Sequence, residues 1–448
     1  MILFLEILVV VILLTIAVRS ATRAFSRRYV SSADLICSVL FIFYGLPLVY
    51  DWILPAYSLP WFAEAATSPR VAVGYCVVIL AAVSLIKLGA YQRRWRQPGR
   101  PASGDTPLPR EHPTVLVPLV IMGAWAVLFL PLLAVLVSGT AETFLAYGGV
   151  VQLKPSTSAV ENLTIGTVHM ICLVAVMGFF LIDWLRVRQT RSGVDLVRWV
   201  AFAFAVIAVY IHGKRALAFA LVMVVIMVRF LEGRLRLRTC VILGAVLIVG
   251  SYAYLGQIKG TEVSPFEFVR GDLARDYTLR HVLYRSDWTQ SPIVPYRGAS
   301  YIFFVTAYVP RALWPAKPWT APVYLTNDVF NRREGKHLSW GFGLGFIEEL
   351  IMNFGYLGIL GCLLIGRLCA WVDRRIYGRS SFYGVLWIPM VFSCAFASSV
   401  VLGLVIVVVV PALLLRPVFA RRTAYSTITA SSSMRAPLRR ALDRQRFR

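Results

Sequence analysis

The stretch MILFLEILVVVILLTIAVRS, from Met1 to Ser20, is an apolar run long enough to cross a bilayer as a helix. A signal peptide would carry basic residues before its apolar run and a small-residue cleavage site after it. Here the arginines come only after the run, and no convincing cleavage site follows. The stretch therefore predicts a first membrane helix that the protein retains.

The whole chain has the composition of a membrane protein. Of its 448 residues, 58% are hydrophobic and 15% are charged, and the mean hydropathy is +0.70. A soluble chain carries about 25% charged residues. The charges lie in short clusters between long apolar runs, as in helical proteins that cross a membrane many times. We expect an all-α polytopic membrane protein with about eleven transmembrane helices.

The apolar runs divide the chain into four regions. Helices 1 to 8 are expected within residues 1–256, a large extracytoplasmic segment at 257–340, and helices 9 to 11 within 341–417. Residues 418–448 are polar and basic, and they are too poor in apolar residues to fold alone. The expected spans are 2–18, 33–50, 71–90, 113–137, 165–184, 198–211, 216–231, 238–256, 342–371, 381–397 and 399–417.

Arginines mark one side of this arrangement. They follow every odd-numbered span, from Arg19 after the first to the arginine-rich tail after the eleventh. Positive residues favour the cytoplasmic side, so the pattern predicts an N-terminus outside and a C-terminus in the cytoplasm. The same placement accounts for the net charge of +24 better than nucleic-acid binding does. The seven cysteines lie in apolar segments without CxxC spacing, which indicates packing and not disulfides or zinc ligation.

The large outer segment contains a helical amphipathic pattern. Its expected apolar face consists of Phe266, Val269, Leu273, Tyr277 and Tyr284. Arg270, Arg275 and Asp276 are expected to point away from that face, so the helix should lie on the membrane or over the spans. The next apolar run, SYIFFVTAYV, is too short to span and is expected to be re-entrant or interfacial.

The segment YVPRALWPAKPW, from Tyr308 to Trp319, follows that run. Its three prolines restrict the backbone, and its two tryptophans favour the headgroup level of a bilayer. The segment predicts a stiff loop at the outer interface that presents Arg311 and Lys317. The loop is either a well-anchored connection with solvated charges or an element that binds an anion.

Two other segments place charge at the outer rim. In IHGKRA, Lys214 and Arg215 lie in an outer turn short enough to hold them against the bilayer. They either snorkel to the headgroups or serve a function, because charge at a membrane is costly. In GLGFIEELIMNFGYLGILG, Glu348 and Glu349 lie near the outer end of span nine, with Asn353 one turn further in. These carboxylates could pair with outer arginines, or one of them could remove a proton from a hydroxyl.

Cations, carboxylates and aromatic residues therefore gather at headgroup depth on the outer face. Arginine matches phosphate oxygens with two parallel hydrogen bonds, and lysine adds a point charge. A membrane-embedded diphosphate is the class of ligand that needs such a set, and tryptophan and tyrosine rings suit the faces of sugars.

The run from Gly298 to Trp319 resembles the outer-loop signature of bacterial oligosaccharide repeat-unit polymerases, the Wzy-type O-antigen polymerases. That signature has a tyrosine-containing run, then Pro-Arg, then Trp-Pro-x-Lys-Pro. The matching residues here are Tyr301, Pro310, Arg311, Trp314, Pro315, Lys317 and Pro318. Gly213-Lys214-Arg215 is similar to the family's Gly-x-Arg turn, and Glu349 through Asn353-Phe354-Gly355 is similar to its Glu-x-x-x-Asn-Phe-Gly element.

The resemblance implies a GT-C-like architecture in the bacterial plasma membrane and glycosyl transfer from a polyprenyl-diphosphate-linked oligosaccharide. Glu349 is the candidate base, with Asp272, Asp276 and His281 as rivals. The residues expected to bind the diphosphate or the glycan are Lys214, Arg215, Arg270, Arg275, Arg280, Arg311, Trp314, Lys317 and Asn353. Neither a metal nor a cofactor is expected. Besides the lipid bilayer and the lipid-linked substrate, a chain-length regulator and a flippase are candidate partners.

Two other functions fit the same pattern. A ligase or a related lipid-dependent glycosyltransferase shares the many-span plan with one large outer loop, and it differs by making a single transfer instead of a ladder of repeats. A transporter or flippase for lipid-linked sugar would place cations inside the bundle and show matching halves. The charges here cluster at the outer rim, which favours an enzyme at the membrane surface.

Overall fold

The computed structural model describes ten continuous ranges of the chain and a set of shorter pieces. The ranges are 1–27, 29–53, 60–91, 117–137, 196–212, 236–258, 275–286, 292–306, 313–331 and 342–378. The shorter pieces are parts of 168–183 and 218–230, with Arg270, Gly271, Leu273 and Val309. Within these residues every regular element is a helix, which confirms the all-α class. Four helices are long and apolar enough to cross a membrane.

Twelve helices are named here in chain order within the described ranges. They are α1 Ile2–Arg27, α2 Ser32–Ile53, α3 Ala63–Thr67, α4 Pro69–Ala90, α5 Val117–Val137, α6 Leu196–His212, α7 Leu237–Ile258, α8 Arg275–Tyr284, α9 Ala299–Val305, α10 Ala321–Val329, α11 Phe346–Phe354 and α12 Gly361–Gly378. A 3₁₀ turn, Gly355–Leu360, joins α11 to α12. The four helices that can cross a membrane are α1, α2, α4 and the joined pair α11–α12.

The helices coincide with many of the expected spans. Spans one, two, three and nine correspond to the four membrane-crossing helices, and α5, α6 and α7 overlap spans four, six and eight. Spans ten and eleven and the tail after residue 417 lie outside the described residues. The total of eleven spans therefore stays a prediction.

Two glycines bring α4 and α12 into backbone contact. A Cβ atom on Gly89 would lie 2.2 Å from the carbonyl oxygen of Leu363, and one on Gly366 would lie 2.2 Å from that of Ile86. No larger residue fits at either position without moving a helix. Small residues that let helix backbones approach closely are a common basis of packing between membrane helices.

Polar residues gather at the two ends of this bundle. At one end, named the basic end, Asp34 accepts hydrogen bonds from Arg23 and Lys87, and Asp373 accepts one from the Ser32 amide at 2.9 Å. At the other, named the site end, α2 ends and α4 and α11 begin. The 22 residues of α4 connect the two ends. At 1.5 Å per residue they span about 33 Å, close to the hydrocarbon thickness of a bilayer.

A π-helical turn at Phe41–Gly45 interrupts α2 near its middle. The Leu46 amide reaches back five residues to the Phe41 carbonyl, and Pro47 has no amide proton to donate. Such turns re-aim side chains and carbonyls, and they are frequent at functional sites. Here the Tyr44 carbonyl accepts a hydrogen bond from the Tyr75 hydroxyl at 2.6 Å. The Tyr44 side chain points toward α11, where its hydroxyl donates to Glu348.

Helix α8 corrects the amphipathic expectation for the outer segment. It lies against α3, α4 and α11, and its buried residues are Asp276, Tyr277, Thr278, Leu279, Arg280, Val282 and Leu283. The prediction that Arg270 and Asp276 point away from the packed face was wrong, because both side chains are fully buried. Arg270 pairs with Asp276 and with Asp51 of α2, so each of these charges has an opposite partner inside the fold. Phe266 and Val269 lie outside the described residues.

Candidate functional site

Arg270 is the centre of a buried ion cluster at the site end. Its Nε and Nη2 atoms donate to the two oxygens of Asp51 at 2.7 and 2.9 Å. Its Nη1 and Nη2 atoms donate to the two oxygens of Asp276 at 2.9 and 2.8 Å. Burial alone would lower the pKa of Arg270, but the charge of Asp276 and the hydrogen bonds with both carboxylates outweigh burial and raise it. The cluster fastens the start of α8 to the end of α2.

Arg280 fastens α8 to two further elements. Its Nη2 atom donates to Glu6 Oε1 of α1 at 3.2 Å, and its Nη1 atom donates to the Ala66 carbonyl at 3.4 Å. Its Cζ atom lies 5.0 Å from the ring centroid of Tyr75, a cation–π distance. Burial opposes the charge, but attraction by Asp276 and other nearby groups raises the pKa of Arg280. The hydrogen bonds that Arg270 and Arg280 donate thus go to protein groups, while Arg280 Nε is buried without a hydrogen-bond partner in the part of the chain that the structure describes.

A third charged contact joins α8 to α10. His281 Nε2 lies 2.8 Å from Asp328 Oδ2, and Arg285 donates to Asp328 Oδ1 at 2.6 Å. Burial would raise the pKa of Asp328, but the hydrogen bonds from His281 and Arg285 outweigh burial and lower it. His281, a rival candidate for the base, is therefore in contact with a carboxylate.

The adjacent carboxylates of α11 have different surroundings. Glu348 is fully buried and accepts three hydrogen bonds, from the Tyr44 hydroxyl at 2.6 Å, the Thr278 hydroxyl at 3.1 Å and the Gly345 amide at 3.2 Å. The last of these is half of a capping box at the start of α11. Glu348 therefore connects α2, α8 and α11, and its contacts stabilise the packing of these three helices.

Glu349 faces the start of α9 instead. Its Oε1 atom accepts a hydrogen bond from the Ser300 hydroxyl at 2.8 Å. Asn353 completes the cluster, because its Nδ2 atom donates to Ser300 Oγ at 2.8 Å and to the Glu349 carbonyl at 2.7 Å. The Ser300 amide donates to Asn353 Oδ1 at 3.3 Å. We name these three residues the Ser300 cluster, and all three are buried.

The Ser300 cluster lies where two of the sequence motifs meet. Tyr301 stacks on Phe354, with ring centroids 5.7 Å apart. Gly298, with a φ of 80°, turns the chain into α9, and Gly355, with a φ of 63°, ends α11. Both conformations are in the left-handed region that glycine adopts without strain. The start of the outer-loop motif and the Glu349–Gly355 motif are therefore packed against each other.

Lys317 is not presented on the surface as the sequence led us to expect. Only 5% of the residue is exposed, its Nζ atom donates to the Val309 carbonyl at 2.9 Å, and it lies 5.0 Å from the ring centroid of Phe303. A proline-rich loop has few amide donors, so a lysine that satisfies one of its carbonyls holds it together. Trp314 is half-buried nearby in sequence. Whether Lys317 and Trp314 bind substrate stays a prediction.

The remaining predicted site residues divide into two groups. Arg275 is half-buried and donates to the Gly343 carbonyl at 2.7 Å. The others, Lys214, Arg215, Asp272 and Arg311, lie outside the described residues. The sequence pattern had not singled out Arg297, whose side chain is exposed directly before Gly298.

Several residues of the site were missed by sequence reasoning. They are Tyr44, Asp51, Thr278, Ser300 and Asp328. Asp51 carried a usable signal, because an ionisable residue at the end of an apolar span is a candidate for function. Ser300 carried none, since a serine at the start of an apolar run does not reveal a partner 49 residues away.

The chemistry available here is that of carboxylates, hydroxyls and guanidinium groups. Glu349 is placed beside a hydroxyl, and a carboxylate in that setting can accept a proton. Among the described residues, no group of three or more His, Cys, Asp or Glu side chains is placed to hold a metal ion. In comparisons with family models, curated proteins and solved structures, no match to this chain was found.

Proposed function

We propose that this protein is a membrane glycosyltransferase that polymerises lipid-linked oligosaccharide repeat units into a surface polysaccharide. The donor is a glycan on polyprenyl diphosphate, and the acceptor is a sugar hydroxyl of another repeat unit. The observation that carries the proposal is the contact between two motifs recognised separately in the sequence. Tyr301 of the outer-loop motif stacks on Phe354 of the Glu349–Gly355 motif, and both belong to the pattern that resembles the polymerase family.

The reaction places a role on Glu349. The acceptor hydroxyl oxygen forms a bond to the anomeric carbon of the donor while the bond from that carbon to the diphosphate oxygen breaks. The hydroxyl proton passes to the Glu349 carboxylate, and polyprenyl diphosphate leaves with the bonding electron pair. A positioned carboxylate of this kind acts as a general base.

The developing charge on the diphosphate needs cations. We assign Arg270 and Arg280 to holding α8 in place, because both are buried and their Nη atoms donate to carboxylates and a carbonyl of the protein. Exposed Arg297 is a new candidate for the diphosphate. Well-placed donors of this kind are worth about 3–4 kcal/mol each in the transition state. Arg275, Arg311, Lys214 and Arg215 keep the binding role expected from the sequence, as does Trp314 toward the glycan. Lys317 and Asn353 are buried and hydrogen-bonded to the protein, so we assign them to holding the site together.

The proposal includes the finer topology expected from the sequence. The chain would cross the bacterial plasma membrane about eleven times in a GT-C-like arrangement. Its N-terminus and the segment 257–340 would lie outside, and its C-terminus would lie in the cytoplasm. Arg23 and Lys87 lie at the end of the bundle opposite the Arg270 cluster, and basic residues at that end favour placing it in the cytoplasm.

Glu349→Gln tests the assignment of the base. Purified protein in lipid nanodiscs is incubated with a short-chain polyprenyl-diphosphate oligosaccharide from its own host, and glycan length is followed on gels. Glutamine keeps an oxygen that can accept from Ser300 but loses the basic carboxylate, so elongation should stop while expression and insertion persist. Glu348→Gln is the matched control, and it should lower thermal stability yet retain turnover per folded molecule.

Three results of this experiment would contradict the proposal in different ways. Wild-type rates with Glu349→Gln would remove Glu349 as the base. A single addition in place of a ladder would identify a ligase. No transfer by the wild type with any plausible host repeat unit, together with movement of lipid-linked glycan across the bilayer when the protein is placed in sealed vesicles, would identify a flippase.

A further inference from the structure

Ser300 has no role in the mechanism above, yet it lies at the contact between the outer-loop motif and the candidate base. We infer that Ser300 is a positioning residue, whose hydroxyl orients the Glu349 carboxylate for removal of the acceptor proton. This inference rests on the proposed function.

The side-chain amide of Asn353 has one orientation that satisfies all its neighbours. Ser300 is in the first turn of α9, where amide groups have no partner within the helix. The Ser300 amide finds one in Asn353 Oδ1 at 3.3 Å. The Nδ2 atom must then face Ser300 Oγ and the Glu349 carbonyl, both of which can accept. The opposite orientation would place oxygen against oxygen at the Glu349 carbonyl, so the amide orientation is determined.

The hydroxyl proton of Ser300 is directed at Glu349. Because Asn353 Nδ2 donates to Oγ at 2.8 Å, the hydroxyl acts there as an acceptor. Its own proton is then free to point at Glu349 Oε1, 2.8 Å away. An ionised carboxylate can only accept, so it is the matching end of this chain. Both hydrogen bonds are therefore donated in the same direction, from Asn353 to Ser300 and from Ser300 to Glu349.

The whole Ser300 cluster is buried. Ser300, Asn353 and Glu349 are all nearly inaccessible to solvent, with Glu349 only 3% exposed. Water cannot readily replace the Ser300 hydroxyl in such a place, so its loss removes a fixed donor from the carboxylate.

The residues on both sides of Ser300 hold its backbone in place. Gly298, in its left-handed conformation, directs the chain into α9 two residues earlier. Tyr301 follows Ser300 and stacks on Phe354 of α11. The hydroxyl is therefore held by the backbone turn on one side and by ring stacking on the other, so its position relative to Glu349 is well defined.

The test is a series of variants at residue 300 in the nanodisc assay. Ser300→Ala removes the donor and should lower kcat for elongation at least about tenfold with little change in the KM for the donor. Ser300→Thr keeps the hydroxyl and should recover much of that loss. Ser300→Cys is close in size but donates weakly, so it should fall between alanine and threonine. If the role of Ser300 were only structural, kcat across the series would follow the thermal midpoints and not the strength of the hydrogen-bond donor.

Thermal midpoints of all variants are measured in parallel. If Ser300→Ala does not fold, the comparison of threonine with cysteine decides, and cysteine equal to or faster than threonine overturns the inference. Wild-type kcat in Ser300→Ala, or a loss confined to KM, overturns it as well while leaving the proposed function in place. Absence of elongation by the wild type, in contrast, overturns both.

Discussion

Replacing Arg270 by methionine is expected to destabilise the protein by about 3–5 kcal/mol, because it leaves fully buried Asp276 and half-buried Asp51 without their shared cation. Asp51 and Asp276 both contact Nη2 of Arg270, at 2.9 and 2.8 Å. Their nearest oxygens are therefore within about 6 Å of each other, and their repulsion at an effective dielectric constant of about 20 is about 3 kcal/mol. The cation–π contact of Arg270 with Tyr277, at 4.3 Å, is lost too and adds about 1 kcal/mol.

The assay is unfolding of purified protein in a single detergent by heat and by denaturant. Arg297→Met is the matched control, because it removes an exposed arginine of the same segment and should cost less than about 0.5 kcal/mol. Adding Asp276→Asn to Arg270→Met removes the repulsion, so the double variant should be more stable than Arg270→Met alone. Equal stability of Arg270→Met and Arg297→Met would refute the reasoning. So would a double variant that is less stable than Arg270→Met.

Three further outcomes are expected. Gly89→Ala should destabilise the protein by about 1–3 kcal/mol through its clash with a backbone carbonyl, whereas Gly74→Ala, with open space around it in the same helix, should be neutral or stabilising in the same melting assay. The pKa of Asp328 is lowered in the folded protein, so its stabilising contribution is present above the unfolded value of about 3.9 and is lost as pH falls through the lower, folded value. Asp328→Asn should therefore lower stability at neutral pH and flatten the acid side of a plot of melting temperature against pH, and an unchanged plot would contradict this. Arg297→Ala should raise the KM for the lipid-linked donor about tenfold, with Arg297→Lys intermediate; an unchanged KM would exclude Arg297 from diphosphate binding.

Apolar runs were enough to predict the helices that form the bundle. The stretches that became α1, α2, α4 and the pair α11–α12 are long and continuous, and a bilayer imposes a length on such runs that can be read from the chain. Glu349 and Asn353 were recognisable from their motif, but that motif does not contain the residue that contacts both.

The burial of α8 could not be predicted in the same way. A helix with two arginines, an aspartate and a histidine among ten residues has the composition of an exposed helix. Whether its charges face water depends on partners far away in the chain, and Glu6 lies 274 residues from Arg280. Composition and periodicity report on neighbours within a few turns, so pairing over that distance leaves no trace in the pattern.

The glycine contact between α4 and α12 has a consequence for the depth of the candidate base in the membrane. Gly89 and Gly366 lie toward the basic end, whereas Glu349 lies at the site end. Two helices whose backbones touch cannot slide past each other by a fraction of a turn, so α12 has a fixed height relative to α4. Because the 3₁₀ turn Gly355–Leu360 joins α11 directly to α12, the height of α12 also sets the height of α11. The depth of the Glu349 carboxylate relative to the lipid headgroups thus depends on a pair of glycines at the opposite end of the bundle. Substitution of either glycine would shift the candidate base in the membrane without changing any residue of the candidate site.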